Sequence, residues 1–415
     1  MGRFHPTWIA VVAAVALTLA ADRVWRTETP ETFPGEPLLR EAWARARAMS
    51  VSEPDPVRVA EGAVAGMVAA IDPWAEAMSP ASWEMFRMRT AGVSTGVGID
   101  AFAADGVVKV ATVERGSSAD SAGVRPLDRI VSIDGRAPVD DVDAAAAFDG
   151  PAGSKVDVVV GDAAGLNRRG VVLDRRASDR RVVTASPIEG TWFVHVAEFR
   201  PTTLSQWEAA VDPAAVRASR GLVLDLRGNR GGDLAAAAAL ADLWLDGGTI
   251  YRRVNRDGET TVSASPGAPL GGIPTVVLVD GGTASAAEVL AGALADSGAA
   301  TLVGEKTFGK GAVQEVIPFE AAPGGMKVTT ALLRTPSGRA LEARIAGPGG
   351  GVGGGLVPDV VVPTTEPARA ALRRARLRER CAPETVAYLV SLDGAEVRDD
   401  ALVKWLALLP QPSPR

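Results

Sequence analysis

An apolar run that ends in a small polar turn constrains the fold of this chain more than any other feature. Residues 274–280 read PTVVLVD, a strand-like segment rich in β-branched side chains, and residues 286–295 have the alanine and leucine content of a buried helix. Ser285 is therefore predicted at a strand-to-helix turn. Residues 221–245 repeat the strand, glycine-rich turn and helix. Such units predict an α/β core with a largely parallel sheet and with sites at the carboxyl ends of the strands.

Length and composition exclude several classes of protein. A chain of 415 residues is long enough for two or three domains. The balance of 44 basic against 50 acidic residues, a net charge of -6, argues against broad electrostatic binding of nucleic acid. Cys381 is the only cysteine, which excludes an internal disulfide framework and a multi-cysteine metal site. The only histidines are His5 and His195. We expect neither a metal nor another cofactor.

The N-terminus has the pattern of a targeting segment. Arg3 and His5 precede residues 8–21, fourteen residues without a charged side chain, and Thr18-Leu19-Ala20 offers a small-residue cleavage site. The run is short for a membrane span and suits the apolar region of a signal peptide. We predict an exported, periplasmic protein, either soluble or anchored to the inner membrane by residues 8–21.

Ser285 can be interpreted in two ways from its neighbours. Unpaired N–H groups at a helix start could stabilise an oxyanion, which is the place of the nucleophile in many hydrolases. The stretch from Ser285 to Glu288 is equally a capping box, in which the serine only caps the helix and the glutamate returns the bond. The four residues alone leave both interpretations open.

Residues 304–310 match the first seven positions of a phosphate-binding loop, but the match then fails. Gly311 stands where a serine or threonine would hold Mg²⁺, and residues 312–318 have the pattern of a strand rather than of a helix. Lys310 has another use, because burial can lower the pKa of a lysine enough to make it a general base near neutral pH. Ser-Lys pairs are a known variant of nucleophilic catalysis. His195 lies in a predicted strand, and we interpret it as structural.

Residues 225–232 read DLRGNRGG between a strand and a helix. The glycines allow unusual backbone angles, so that their N–H groups could face a cavity and donate to an oxyanion. A nucleotide-phosphate loop is the rival interpretation, which the spacing disfavours because it lacks the pattern G-x-G-x-x-G.

Residues 94–164 form a small β-rich unit that resembles a PDZ domain. Its most specific stretch runs from Gly116-Ser-Ser-Ala-Asp-Ser-Ala-Gly123 to residues 127–135, LDRIVSIDG. The resemblance implies that an extended peptide adds to the edge of a sheet and that backbone N–H groups of a glycine-containing loop bind its terminal carboxylate. That loop would be Gly96, Val97, Gly98 and Ile99. The alternative is a turn whose glycines only satisfy the backbone geometry.

The ordered set of motifs, from about residue 60 to residue 363, resembles the carboxy-terminal processing, or tail-specific, serine peptidases. The segments that carry the resemblance are residues 62–67, 71–73, the PDZ-like unit, and residues 194–203, 224–232, 283–288, 291–294 and 304–314. The family implies that Ser285 is the nucleophile, that Lys310 is the general base and that Gln314 orients the lysine. It also implies oxyanion donors in the backbone of Ala286 and of Gly231 or Gly232.

Two features depart from the family pattern. Arg230 stands where the family often has proline, and a glycine-rich insert, residues 347–355, precedes Val357-Pro-Asp359. The C-terminal segment lies outside the resemblance. We predict a signal or anchor at 1–21, a helical region at 30–90, a PDZ domain at 94–164, a peptidase core at 170–363 and a helical extension at 364–415.

The combined prediction is an exported serine endopeptidase that captures the C-terminal tail of a protein at its PDZ domain and cleaves at or near that tail. The expected fold is an α/β peptidase core with an inserted PDZ domain of β-sandwich type and N-terminal helices. Expected partners are protein or peptide substrates, with an activating adaptor protein and a homo-oligomer left open. The alternative is a latent or inactive peptidase-like PDZ scaffold that only binds protein C-termini.

Overall fold

A computed structural model describes residues 33–80, 82–83, 86, 94–104, 106–139, 141–178, 181–188, 190–345 and 354–364. The chain divides into two compact units, Met1–Val64 and Ala65–Arg415. The predicted signal or anchor segment, residues 346–353 of the glycine-rich stretch and the predicted C-terminal extension from residue 365 lie outside the described residues.

The helices have the following bounds: α1 (Glu36–Met49), α2 (Pro56–Ala69), α3 (Ser118–Ser121), α4 (Asp141–Phe148), α5 (Thr203–Ala210), α6 (Pro213–Arg217), α7 (Leu234–Ala241) and α8 (Ala286–Asp296). The strands are β1 (Glu76–Met78), β2 (Ser94–Gly96), β3 (Ile99–Ala104), β4 (Val107–Val113), β5 (Arg129–Ile133), β6 (Lys155–Gly161), β7 (Arg169–Asp174), β8 (Arg176–Ser178), β9 (Val183–Ile188), β10 (Thr191–Val196), β11 (Leu222–Asp225), β12 (Thr249–Asn255), β13 (Gly258–Ser263), β14 (Thr275–Val279), β15 (Thr301–Gly304), β16 (Ala312–Pro318), β17 (Gly325–Arg334) and β18 (Val360–Val361).

The N-terminal helices follow from local sequence signals. Proline in the first turn and Glu36 beside it suit the start of α1, and Arg47 lies in its last turn, where a positive charge complements the helix dipole. None of the side chains of α1 is buried. Among the residues that the structure describes, no helix has both the length and the apolar character that crossing a bilayer requires.

A six-stranded sheet with the order β18-β15-β14-β11-β10-β9 forms the centre of the second unit. All its pairings are parallel except that of β9 with β10. Every residue of β11 and β14 is buried, as expected for central strands of a parallel sheet that is covered on both faces. The predicted α/β fold with a largely parallel sheet is confirmed.

Side chains alternate between the two faces of this sheet. Leu224 and Val277 lie in the main apolar core with α7 and α8, whereas Val223 and Val276 belong to a smaller cluster. The predicted second helix was expected to reach residue 245, but α7 ends at Ala241. The chain continues in tighter turns, since the N–H groups of Leu243 and Trp244 each donate to the carbonyl oxygen three residues earlier. The turn that carries each candidate residue therefore begins at the carboxyl end of a buried strand.

A second sheet, with the order β1-β17-β12-β13 and with β16 paired to β17, is antiparallel. Its first strand comes from residues 76–78, ahead of the PDZ-like unit, and pairs with residues 325–327, near the end of the described chain. Asp72 reinforces this attachment, since its carboxylate accepts hydrogen bonds from the N–H and the hydroxyl of Thr329 at 3.2 and 3.1 Å. Residues 72–78 thus lie against the strand β17, beside β16.

The PDZ-like unit is a five-stranded antiparallel sheet with the order β3-β4-β5-β6-β7. It has its own apolar core, which includes Val110, Phe148 and Val158. The short helix α3 is capped at its start by Ser117, whose side chain accepts a hydrogen bond from the N–H of Asp120. The helix α4 packs against β3 and β5. The strand β3 is an edge strand of the sheet as described.

Candidate active site

Ser285 lies at a strained turn between β14 and α8. Its φ of 58° and ψ of -120° lie outside the regions that side chains ordinarily favour, and such strain marks positions that the surrounding structure holds firmly. Thr283 supplies part of that hold, because its hydroxyl donates to the carbonyl oxygen of Leu226 at 2.9 Å. Asp280 adds to it, since its Oδ1 accepts from the N–H of Gly228 at 2.8 Å and of Gly282 at 2.9 Å. The turn is fastened to the glycine-rich loop after β11.

The predicted capping box begins α8, but its two halves differ in quality. The Glu288 half is a hydrogen bond, since the Ser285 N–H donates to Glu288 Oε2 at 2.9 Å. The Ser285 side chain faces the N–H of Glu288 as the other half of the box, although it makes no capping hydrogen bond of normal geometry there. The position of the Ser285 side chain therefore fits both the capping and the nucleophile interpretation.

Glu288 is fully buried and accepts hydrogen bonds at both oxygens. Oε2 also receives the N–H of Lys310 at 2.9 Å, while Oε1 receives the N–H of Gly309 at 2.8 Å and the hydroxyl of Thr307. Burial raises the pKa of the Glu288 carboxyl, and these hydrogen bonds oppose that rise because they favour the charged form. One carboxyl group therefore holds the backbone of the candidate nucleophile and of the candidate base.

Lys310 lies in the loop between β15 and β16, as predicted, and is half-buried. Burial lowers the pKa of its ammonium group, and the positive charge of Lys327 lowers it further, while the Glu342 carboxylate raises it. The Lys310 Nζ lies 5.2 Å from the ring centroid of Trp74. The direction of the pKa shift is the one that a lysine acting as a general base requires.

Gln314 lies on β16, but its described partner is not the lysine. Its Nε2 donates to the backbone carbonyl oxygen of Trp74 at 2.7 Å. The expectation that Gln314 orients Lys310 stays a prediction. Both residues, however, contact Trp74, one at its ring and one at its carbonyl group.

Trp74 is a site residue that the sequence patterns did not single out. Its indole N–H donates to Glu342 Oε2 at 3.2 Å, and its ring lies 6.1 Å from that of Phe308 between centroids. The guanidinium carbon of Arg344 lies 4.6 Å from the Trp74 ring centroid. The only signal was the position of Trp74 directly after Asp72-Pro73, in a region noted for its helices.

The candidate oxyanion donors come from the turn at Ser285 and from the glycine-rich loop. Within the described part of the chain, the N–H groups of Ala286 and Gly232 donate no hydrogen bond. The N–H of Gly231 donates to Asn229 Oδ1 at 2.8 Å. A Cβ atom added at Gly231 would lie 2.9 Å from the Ala286 nitrogen, so the glycine approaches the helix start closely. The geometry favours Ala286 with Gly232 as donors over Ala286 with Gly231.

Asn229 was also not anticipated, although it lies inside a quoted motif. It is fully buried, and its Nδ2 donates to the Val196 carbonyl oxygen at 2.8 Å. The backbone carbonyl oxygen of Asn229 accepts a hydrogen bond from the N–H of Ala284 at 2.9 Å. Asn229 thus links β10, the glycine-rich loop and the turn that carries Ser285. Arg230, where the family often has proline, is exposed beside it.

A buried ion pair supports the start of the glycine-rich loop. The Arg227 guanidinium binds both carboxylate oxygens of Asp225 at 2.9 Å, and the side chains are 5% and 0% exposed. His195 on β10 is paired with Asp225 in the register of β10 and β11, and its Nδ1 is 3.1 Å from the backbone oxygen of Asp225. This backbone contact agrees with the structural interpretation of His195.

The predicted carboxylate-binding loop joins β2 to β3. Gly96 ends β2, Ile99 begins β3, and Val97 and Gly98 lie between them. Gly98 has a φ of 82°, and a Cβ atom there would lie 2.2 Å from the Ser117 Cβ, so only glycine fits. The carbonyl oxygens of Val97 and Gly98 accept the N–H groups of Ala119 and Glu114. The loop is therefore fixed through these carbonyl groups, and the N–H groups of Val97 and Gly98, which lie between the two paired strands, are the candidate donors.

Comparisons with known proteins agree with this architecture. The model of peptidase family S41 matches residues 191–362, and a PDZ-domain model matches residues 109–160. The chain is 32% identical over 369 residues to the carboxyl-terminal-processing protease of Picosynechococcus sp., which covers 84% of this chain and 85% of that protein. It is 30% identical over 369 residues to the carboxy-terminal-processing protease of Bartonella bacilliformis, with coverages of 85% and 80%.

Among solved structures, the photosystem II D1 C-terminal processing protease is 30% identical, with coverage of 80% of this chain and 94% of that chain and a TM-score of 0.49. The match covers most of the length of each of these two relatives, and it extends over the peptidase and PDZ regions together. The chain therefore belongs to peptidase family S41, as a carboxyl-terminal-processing peptidase with a PDZ domain.

Proposed function

We propose that this peptidase is a serine endopeptidase in which Ser285 is the nucleophile and Lys310 the general base. The observation that carries the proposal is the shared acceptor Glu288 Oε2, which holds the backbone N–H groups of Ser285 and Lys310 at 2.9 Å each. The lowered pKa of Lys310 supports the assignment, because a neutral amine is the form that can accept a proton.

In the proposed reaction, the neutral Lys310 amine takes the proton of the Ser285 hydroxyl as the oxygen attacks the scissile carbonyl carbon. The N–H groups of Ala286 and Gly232 donate to the oxyanion that forms, and the lysine then gives the proton to the leaving amine. A water molecule, deprotonated by the same amine, attacks the acyl-enzyme, and the lysine returns that proton to the Ser285 oxygen as the ester bond breaks, which regenerates the serine and the neutral amine. The scheme needs no metal or cofactor.

We further propose that the PDZ domain presents the C-terminal tail of the substrate. The supporting observation is that β3 is an edge strand, follows the loop of residues 96–99 and has α4 packed against it. A tail added to this edge would bring its carboxylate to the loop and its side chains between strand and helix. The domain boundaries at residues 94–164 and 170–363 belong to this proposal.

Export completes the proposal. Residues 8–21 would direct the chain to the periplasm, where it would be soluble after cleavage or anchored to the inner membrane without it. An activating adaptor and a homo-oligomer fit the same scheme. The intact mass of the mature protein, compared between the soluble and membrane fractions, distinguishes the cleaved form from the anchored form.

The test of the dyad uses the chain without residues 1–21 and an unfolded protein with an apolar C-terminus. Ser285→Ala and Lys310→Ala should each abolish cleavage, and a fluorophosphonate probe should add its mass to the wild-type chain but not to Ser285→Ala. Undiminished cleavage by either variant would contradict the dyad. Removal of the terminal carboxylate by amidation should raise KM if the PDZ domain captures tails.

A latent PDZ scaffold remains the second candidate function, and one observation favours it. Gly231 N–H, one of the expected oxyanion donors, is already bound by Asn229 Oδ1. Binding of tail peptides without turnover, together with no labelling of Ser285 by the probe, would support the scaffold over the peptidase.

A further inference from the structure

Trp74 contacts both the candidate base, Lys310, and the side chain of Gln314. Its ring centroid lies 5.2 Å from Lys310 Nζ, and its backbone oxygen accepts the Gln314 side-chain amide at 2.7 Å. Lys310 and Gln314 flank the start of β16, whereas Trp74 precedes β1 in the neighbouring part of the sheet. A residue far away in the sequence therefore forms one side of the lysine site.

The backbone of Trp74 is held at a defined position. Asp72 Oδ1 accepts the Trp74 N–H at 2.7 Å and the Thr329 hydroxyl at 3.1 Å. The pairing of β1 with β17 continues the attachment two residues later. The carbonyl group that binds Gln314 is thus fastened to β17 rather than to a free loop.

The indole ring is held independently of the backbone. Its N–H donates to Glu342 Oε2 at 3.2 Å, and this fully buried carboxylate also accepts the N–H of Gly311 at 3.1 Å. Gly311 directly follows Lys310 in the chain. The indole edge and the lysine backbone are therefore tied to one carboxylate oxygen.

The charged groups near Lys310 do not by themselves account for its lowered pKa. Lys327 on β17 favours the neutral amine, but it is itself paired with Glu76 on β1 at 2.7 Å, and Glu342 favours the ammonium. The guanidinium carbon of Arg344 lies 4.6 Å from the Trp74 ring centroid and carries a permanent positive charge. Arg344 therefore competes with the Lys310 ammonium for the cation–π interaction with this ring. Burial is the largest cause of the shift, and the Trp74 ring supplies part of that burial.

We infer that Trp74 is a positioning residue for the proposed Ser-Lys chemistry, in which its indole shields Lys310 Nζ from water and its carbonyl group holds Gln314 beside the lysine. This inference rests on the proposed function of Lys310. The inference adds that residues 72–78, which precede the PDZ-like unit in the sequence, complete the site around Lys310. Asp72 and Glu342 hold the tryptophan in turn.

The test is the pH dependence of kcat/KM for three variants of Trp74. Trp74→Phe keeps an apolar ring over the amine, so its acidic limb should stay at the wild-type pH. Trp74→Ala opens the amine to water and should move the acidic limb upwards, with about a tenfold loss at neutral pH for each unit of the shift and recovery at higher pH. Trp74→Gln fills more of the site and should show the same upward movement even if the alanine variant does not fold.

Trp83→Ala is the matched control. The ring of Trp83 packs against Gly325, where an added Cβ atom would lie 2.9 Å from it, and Gly325 pairs with Met78 of β1. Removal of this ring should therefore weaken the attachment of β1 to β17. Its thermal stability should fall while its acidic limb stays unchanged. A limb that stays at the wild-type pH in both Trp74→Ala and Trp74→Gln, despite lowered activity, would overturn the inference.

Two further outcomes separate this inference from the proposed function. Higher activity of Trp74→Ala at neutral pH would show that the indole blocks the site, which overturns the positioning role but leaves the dyad intact. Full activity of Lys310→Ala would overturn the dyad, and with it any role of Trp74 that acts through the lysine. Rates of Ser285 labelling by a fluorophosphonate should follow the same order as kcat/KM.

Discussion

The backbone N–H groups of Ser285 and Lys310 donate to the same atom, Oε2 of Glu288, each at 2.9 Å. The two residues lie on different loops, at the ends of β14 and β15, and parallel strands bring those ends to one edge of the sheet. The glutamate that a capping box places at the third position of α8 therefore serves both loops. Its other oxygen accepts the N–H of Gly309.

Replacement of Glu288 by glutamine should impair both stability and activity. The amide has one acceptor oxygen, so one of the two oxygen positions becomes an NH₂ group facing two donors. Each buried group left without a partner costs about 1–3 kcal/mol, and we expect the free energy of unfolding to fall by about 2–6 kcal/mol. Urea unfolding measures the loss, and kcat should fall with it.

Glu315→Gln is the control for this substitution. Glu315 lies on β16 and is largely exposed, with a surface ion pair to Arg253. Surface pairs contribute about 0–1 kcal/mol, so the unfolding midpoint should hardly move. Equal effects of the two substitutions would contradict the role assigned to Glu288.

Gly231→Ala should reduce activity far more than Gly228→Ala. Both glycines have positive φ, 92° and 74°, so alanine strains both by about 1–2 kcal/mol. At Gly231 the new Cβ atom would lie 2.8 Å from the Ser285 Cβ and 2.9 Å from the Ala286 nitrogen. At Gly228 the new Cβ atom would have no neighbouring atom within 4 Å. Loss of one oxyanion donor lowers kcat about 100-fold to 1,000-fold, and we expect a loss of this size for Gly231→Ala alone. Comparable kcat values for the two variants would exclude Ala286 as a donor.

The activity should rise with pH through the pKa of Lys310. The protonated lysine cannot accept the serine proton, and burial lowers its pKa below the ordinary value of 10.5. The acidic limb of kcat/KM should therefore lie below that value and should disappear together with activity in Lys310→Arg, whose guanidinium stays charged. A limb at the ordinary lysine pKa would contradict the assignment.

Lys310→Met should stabilise the fold at neutral pH. Below the lowered folded pKa, both the folded and the unfolded chain carry the lysine proton, and the folded chain bears the full cost of burying the charge. As the pH rises from the folded pKa towards 10.5, the unfolded chain holds more protons, so wild-type stability increases and the advantage of methionine shrinks. Urea midpoints of the two proteins across this range measure the difference, and a constant difference would contradict the shift.

Asp225→Asn should destabilise the peptidase core. The pair with Arg227 is buried, and the substitution removes the carboxylate charge that opposes the buried guanidinium, which costs about 3–5 kcal/mol. The combined variant with Asp225→Leu and Arg227→Met removes both charges and should recover part of the loss. Unfolding by urea compares the three proteins, and a single variant as stable as the wild type would show that the pair is not the main support of this loop.

The parallel core was predictable because its signals are local. An apolar run such as residues 274–280 can be buried only in a sheet covered on both faces, and the turn after it follows from its small residues. The start of α8 was predicted at Ser285 for the same reason, because a capping box lies within four residues. Whether Ser285 acts as the nucleophile stays a prediction. The PDZ unit was recognised from an ordered motif rather than from burial.

Trp74 and Asn229 could not be placed from sequence patterns, because their contacts join distant segments. Trp74 meets Glu342 across 268 positions of the chain, and Asn229 meets Val196 across 33. Neither residue has a local pattern that distinguishes a site residue from an ordinary core or turn residue. The partner of Gln314 was missed for the same reason, since its amide binds a backbone oxygen that no side-chain motif encodes.

The pairing of β1 with β17 also sets the order of events during synthesis. Glu76 and Lys327 are 251 residues apart, so at about 5–20 residues per second the ribosome adds the second partner roughly 13–50 s after the first. Until then, the segment that carries Trp74 has no strand on which to dock. A nascent chain that has not yet reached residue 327 therefore cannot have a finished lysine site, and proteolytic capacity emerges only once most of the peptidase has been translated.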